Sequence, residues 1–444
     1  MTHTRLHPRS RKIVVCASVL LAAGLMAGGT ARAELSPVEE LGKSIFFDQD
    51  LSMNQNQACA ACHDPAWGFT GPIEAINAAG AVYEGSIPGR FGNRKPPSAA
   101  YATASPILHF VDEKENNRNE DDILFIGGNF WDGRATGEKL GNPAADQAQG
   151  PFLNPAEQAL PDAACVVYRV CNASYPTTFE DVFGAGACDI TWPADIETTC
   201  ATEGGMVTLS VEDRADVDMA YDWIAMAIAG YENSTEVNAY SSKYDAYLRG
   251  EVKLSKLEKK GLALFKGKGH CDNCHVLDEG PSGAPLLTDN TFDNLGVPRN
   301  PDNPFYNSPA NGDGEDWVDP GLGGFLASRM QYADYAEDNY GKQRVPTLRN
   351  VAARPSADSA KSFTHNGYFK SLRSVVHFYS TRDVKPACPD PFTPEEDALA
   401  MDCWPVPEVG DNVNTDELGN LHLTAAQEEA IVAFLETLTD GFVP

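Results

Sequence analysis

The chain has 444 residues, long enough for two or three domains with cores of their own. It is 42% hydrophobic and 22% charged, which is ordinary globular composition and excludes a disordered or fibrous protein. Its 34 Lys and Arg face 63 Asp and Glu, and a formal net charge of −29 excludes nucleic acid and anionic lipid surfaces as partners.

Residues 1–33 read as a leader. Arg5, Arg9, Arg11 and Lys12 form a basic start, an apolar run follows, and Ala-Arg-Ala at 31–33 fits an A-x-A cleavage site. Glu34 is then the expected first residue of an exported, periplasmic protein. An uncleaved anchor is the rival reading, but the apolar run is short for a membrane span. No later run is long enough, so no membrane span is expected after cleavage. The leader carries five Lys/Arg and no acid, so cleavage leaves a still more acidic chain that would steer in a basic or neutral protein.

Ser36 and Glu39 form a capping box, and Leu41, Ile45 and Phe46 follow at helical spacing. "CAACH" comes next, at 59–63. The longest helical pattern is 209–232, with Val217, Tyr221, Ile224, Ala225 and Ile228 on its apolar face. A second Ser-x-x-Glu start at Ser255 opens a helix over 255–265, and "CDNCH" follows at 271–275. A capped final helix is predicted over 424–438. Strand patterns are short and few. Long Gly/Pro/Asn-rich stretches cover 71–130, 141–205, 280–345 and 383–420. Loops of that length make sense when wrapped around large prosthetic groups and tied by disulfides. The order helix, linker, CxxCH occurs twice, which predicts a mainly α chain of two cytochrome-c-like haem domains with long irregular loops, over 34–207 and 208–444. Outside the leader and the two motifs lie Cys165, Cys171, Cys188, Cys200, Cys388 and Cys403. Export favours disulfides among them, and local pairing would tie 165–200 internally and close 388–403.

In CxxCH, two thiols form thioethers with haem and the adjacent His supplies an iron ligand. Cys59, Cys62 and His63 make one such set; Cys271, Cys274 and His275 make the other. Zinc would need further ligands nearby, and neither motif has them. The cofactors expected are therefore two covalently bound haem c. After His63 no His or Met occurs until His109, which suggests a first iron open to a small molecule. The second iron has four candidate ligands, Met330, His365, His377 and Tyr379, and spacing does not choose among them.

The chain resembles the bacterial dihaem cytochrome c peroxidases and their relative MauG. The landmarks are "CAACHDPAWGF", "RKPPSAAY", "FWDGRA", "QAQGPFLNPAE", "FDNLGVP", "RVPTLRNVA", "THNGYFKSL" and "VVHFYSTRD". The resemblance implies a peroxide site at the first haem, with Gln147, Pro151 and Glu157 on its open face. Glu157 would shuttle a proton and Gln147 would orient the peroxide. Trp131 matches the Trp that relays charge between the haems, although six extra residues within "TGEKLGNPAAD" separate it from Gln147. Members that detoxify peroxide often carry a distal His, and "AINAAGAVYEGSIPGR" holds none. Such members ligate the second iron with Met fourteen residues after a His-x-Gly turn. Here that place holds Tyr379, as in MauG-like members, the MbnH and CorB type among them. A phenolate stabilises oxidised iron. Family members also bind calcium between the haems; Thr347 matches one ligand position, but Lys95 stands where an Asn is expected, and lysine cannot ligate calcium.

The resemblance implies a haem-dependent peroxidase in which hydrogen peroxide generates a high-valent state that oxidises a Trp or Tyr of a partner protein at long range. Peroxide removal with electrons from a small cytochrome c or cupredoxin is the alternative, and a non-catalytic dihaem electron carrier is a third reading.

Overall fold

The computed structural model describes residues 34–112, 123–280 and 282–444. The expected leader lies outside the described residues. Two helix pairs organise the rest. In the first, α1 (Pro37–Phe46) starts on the Ser36/Glu39 capping box. Helices α2 (Pro143–Leu153) and α3 (Ala163–Asn172) follow, and then α4 (Val211–Glu232), capped by Ser210. The second pair is α5 (Lys256–Lys266) with α7 (Ala425–Glu436), and α6 (Leu372–Thr381) packs beside it. Both α5 and α7 start on capping boxes, from Ser255 with Glu258 and from Thr424 with Gln427. Two antiparallel ribbons accompany these helices: β1 (His109–Asp112) with β2 (Ile123–Ile126), and β3 (Phe292–Asp293) with β4 (Gln343–Arg344).

The two pairs are built alike. A Cβ placed on Gly42 would lie 1.8 Å from the Ala227 carbonyl oxygen, and one on Gly261 would lie 1.9 Å from that of Ala430. Only glycine lets the backbones meet so closely. Four residues after each glycine comes a Phe, and four after each alanine an aromatic partner. Phe46 meets Tyr231 edge-on at 5.4 Å, and Phe265 meets Phe434 edge-on at 5.2 Å. The loose repeat in the sequence is thus a duplicated helix crossing.

Each pair anchors one core. The first includes Leu41, Phe46, Phe152, Val167, Ile224, Ile228 and Val237; the second includes Tyr244, Phe265, Phe369, Phe378, Ile431 and Phe434. The helix 211–232 packs into the first core. Helical periodicity marks an apolar face without naming its partner. The disulfides are local. Cys165–Cys200 and Cys171–Cys188 fasten the loops around α3, and Cys388–Cys403 closes a loop after α6.

Buried polar contacts join the halves. The Lys361 ammonium donates to the carbonyls of Trp67 (2.9 Å) and Ala353 (2.7 Å), and Arg94 donates to Asp319 at 2.6 Å. Among the described residues, no helix is long and apolar enough to cross a membrane.

Candidate functional site

At the first site, a single 3-10 turn over Cys59–Ala61 presents Cys59, Cys62 and His63 together. The His63 imidazole bonds through Nδ1 to the Phe69 carbonyl at 3.1 Å. Burial lowers its pKa, which favours a neutral ring of the kind that ligates metals. Two cavities of about 40 and 50 Å³ adjoin there, and His63, Gln147 and Glu232 line both. Cys59, Cys62, Pro151 and Glu157 line one of them; Trp131 and Arg344 line the other.

Helix α2 explains why Gln147, Pro151 and Glu157 converge. Gln147 and Pro151 lie one turn apart, on one face. Pro151 occupies the last turn, and the helix stops at Leu153. Asn154 then makes a tight turn: Glu157 N–H donates to the Asn154 carbonyl at 2.9 Å, and Asn154 Nδ2 donates to Glu157 Oε1 at 2.7 Å. Burial pushes the Glu157 carboxyl up, against smaller downward pulls from Arg134 and Asn154. A raised carboxyl keeps its proton to higher pH than a free one. His109 lies elsewhere. It is exposed on β1, bonds to the Ile107 carbonyl, and lines neither cavity.

At the second site, His275 Nδ1 bonds to the Leu287 carbonyl at 2.9 Å. Burial pushes its pKa down to about 4. The cavity is larger, about 190 Å³, and Cys271, Cys274, His275 and Tyr379 all line it. Burial raises the Tyr379 phenol pKa. The rival ligands differ in placement. His377 is absent from the cavity wall, and its Nδ1 sits 2.9 Å from Glu428 Oε1. Met330 is 96% exposed. His365 lines the cavity, with Nε2 3.4 Å from Glu408.

Trp131 lines both the large cavity and one of the small ones, as do Arg344 and Pro346. Its indole N–H donates to the Lys95 carbonyl at 2.8 Å, and its ring centroid lies 6.3 Å from that of His365. It is therefore part of the wall the two sites share.

The residues present fit haem. All four CxxCH thiols are free in the chain. Burial pushes the Cys59 and Cys271 thiols up to about 12. Two donors beside the large cavity, Nε2 of Gln343 and Nε of Arg344, are buried without partners, which suits a group bringing its own carboxylates. The residues matched to a calcium site do not form one. Lys95 is buried with its ammonium on Thr70 Oγ1 at 2.8 Å, and its carbonyl already accepts from Trp131. Thr347 Oγ1 donates to the Leu286 carbonyl and accepts from the Arg349 N–H. Calcium takes six to eight oxygen ligands.

Two residues of these walls escaped the sequence reading. Arg344 sits in the "RVPTLRN" landmark and could have been flagged as a basic residue there. Glu232 ends α4 and reads as an ordinary solvated acid, yet it is 4% exposed.

A model of the family described as "Di-haem cytochrome c peroxidase" matches residues 36–253. The methylamine utilization protein MauG of Paracoccus denitrificans is 34% identical over 431 residues, covering 95% of this chain and 94% of that protein. The structure of the diheme peroxidase BthA from Burkholderia thailandensis is 28% identical with a TM-score of 0.66, covering 92% of this chain and 90% of that one. A MauG-like protein associated with microbial copper homeostasis shares the fold at 24% identity and a TM-score of 0.54. The duplicated helix crossing, its paired CxxCH turns and this end-to-end likeness agree: the chain belongs to the di-haem cytochrome c peroxidase family, haem-dependent oxidoreductases that carry two haems.

Proposed function

We propose that the protein is an exported, periplasmic enzyme that uses hydrogen peroxide at its first haem to oxidise a Trp or Tyr side chain of a partner protein at a distance. The observation that carries this reading is the asymmetry of the two walls. One holds an amide and an acid, Gln147 and Glu157, and the other holds Tyr379 in the matching landmark. When bound, the haems supply redox-active iron, which lets peroxide take up two electrons and two protons and leave as water. Cys59 and Cys62 hold one group with His63; Cys271 and Cys274 hold the other with His275 and Tyr379. The Gln147 amide orients the peroxide by hydrogen bonding. The Glu157 carboxyl takes a proton at one oxygen of the peroxide and returns it at the other, and burial keeps the carboxyl able to hold it. The Trp131 indole, in the wall common to both sites, relays charge between them. Tyr379 is half-buried in the wall of the large cavity, and a metal charge there would draw its phenol towards the ligating phenolate.

The test is mass spectrometry of proteins co-expressed with this one, with and without peroxide. Oxygen insertion or cross-linking in one of them, lost in Glu157→Gln, is the expected result. Rapid steady-state peroxide turnover with reduced cytochrome c and no modified protein would overturn it in favour of scavenging.

A further inference from the structure

The duplicated crossing allows the two haem walls to be compared position by position. One residue after each contact alanine comes an isoleucine, Ile228 in the first half and Ile431 in the second, and each lines its own cavity. Five residues after each alanine the halves part. The second half has Leu435, which lines the large cavity. The first half has Glu232, which lines both small cavities and is 4% exposed. Its carboxyl has no hydrogen bond or ion pair among the described residues. A buried carboxylate left unpaired is costly, and the native structure keeps this one where the repeat places leucine.

The surroundings explain why it is not neutralised. On α1, Lys43 is taken by Glu236 at 2.8 Å. On α3, Arg169 donates to the carbonyls of Asp50 and Ser52. On α2, Gln147 faces the cavity and Asp146 bonds to the Leu140 N–H. Across the cavities the ionisable groups are Cys59, Cys62, His63, Glu157 and Arg344. The cysteines lose their ionisation as thioethers. Burial alone pushes Glu232 up to about 8.

We propose that Glu232 is the redox-linked proton carrier of the first haem site. When one electron enters that site from a small cytochrome c or cupredoxin, a Glu232 carboxylate oxygen takes one hydronium proton from bulk solvent and an O–H bond forms. When the electron leaves, that bond breaks and the proton returns to water. The buried cavity then keeps its net charge through the cycle. Leu435 gives the second site no such group, so the two haems differ in their response to pH. This rests on the two-haem assignment alone and not on which molecule is oxidised.

Spectroelectrochemical titration of the dihaem protein between about pH 5.5 and 8.5 tests it. The midpoint potential of the first haem should fall as pH rises, because deprotonation favours the oxidised site. The slope should approach ~59 mV per pH unit, the value of a tenfold change for one electron. It should flatten in both Glu232→Gln and Glu232→Leu and persist in Glu157→Gln. Reduced-minus-oxidised infrared spectra of the wild-type protein should show a protonated carboxyl band that Glu232→Gln lacks. A wild-type potential independent of pH, or a slope that survives both Glu232 variants, would overturn the assignment. So would a slope lost only in Glu157→Gln. None of these readings uses peroxide or a partner protein, so failure here is separate from failure of the proposed function.

Discussion

Replacing Gly42 with alanine should loosen the first haem site without touching the second. The added Cβ would sit 1.8 Å from the Ala227 oxygen and 2.5 Å from its carbonyl carbon, and both are backbone atoms that no rotamer change can move. Ordinary contact needs well over 3 Å, so α1 and α4 must part by more than about 1 Å. Overpacking of this kind costs about 1–3 kcal/mol, and the gap that opens beside Phe46 and Ile228 adds to it, for ~3 kcal/mol in total. If the first core melts as its own unit of roughly 200 residues, at ~2.1 cal/mol/K per residue, the cost lowers its Tm by about 7 °C. Gly230→Ala in the same helix pair is the control. Its Cβ would meet Val38 at 3.7 Å, an ordinary contact, and alanine in a helix interior gains about 0.5–1 kcal/mol over glycine. Calorimetry with haem-specific absorbance reads both variants. A Gly42→Ala protein as stable as wild type would refute the backbone-contact reasoning.

Glu157→Gln keeps the shape but loses the mobile proton, and the single-turnover rate with peroxide should drop about 10²- to 10⁴-fold with haem content unchanged. Tyr379→Phe should alter the low-spin EPR signal while His377→Ala leaves it in place; the reverse pattern would move the ligand. Alanine at both Cys388 and Cys403 opens a bridge spanning 15 residues and should cost ~3 kcal/mol, seen as a lower denaturation midpoint of the second half.

Local features were legible in the sequence. CxxCH spacing puts two thiols and an imidazole on one turn, and neighbouring cysteines pair. What depends on distant partners was not legible. His377 and Tyr379 lie two residues apart on α6, and the choice between them turns on Glu428 of α7, which engages His377 and leaves Tyr379 to the cavity. The helix 211–232 had a clear apolar face, but only packing against α1 shows which half owns it. Glu232 reads as solvated surface because its helix ends there, yet it is buried beside both small cavities.

The helix crossings also bear on how the protein matures. Cys59 and Cys62 lie between α1 and α4, and Cys271 and Cys274 between α5 and α7. Each crossing brings together segments far apart along the chain, Gly42 with Ala227 and Gly261 with Ala430, and such non-local contacts form late. Until the later helix arrives, the thiols of that half stay accessible. The glycine contact therefore sets an assembly order, in which each pocket remains open for covalent attachment and shuts only when its own half of the chain is complete.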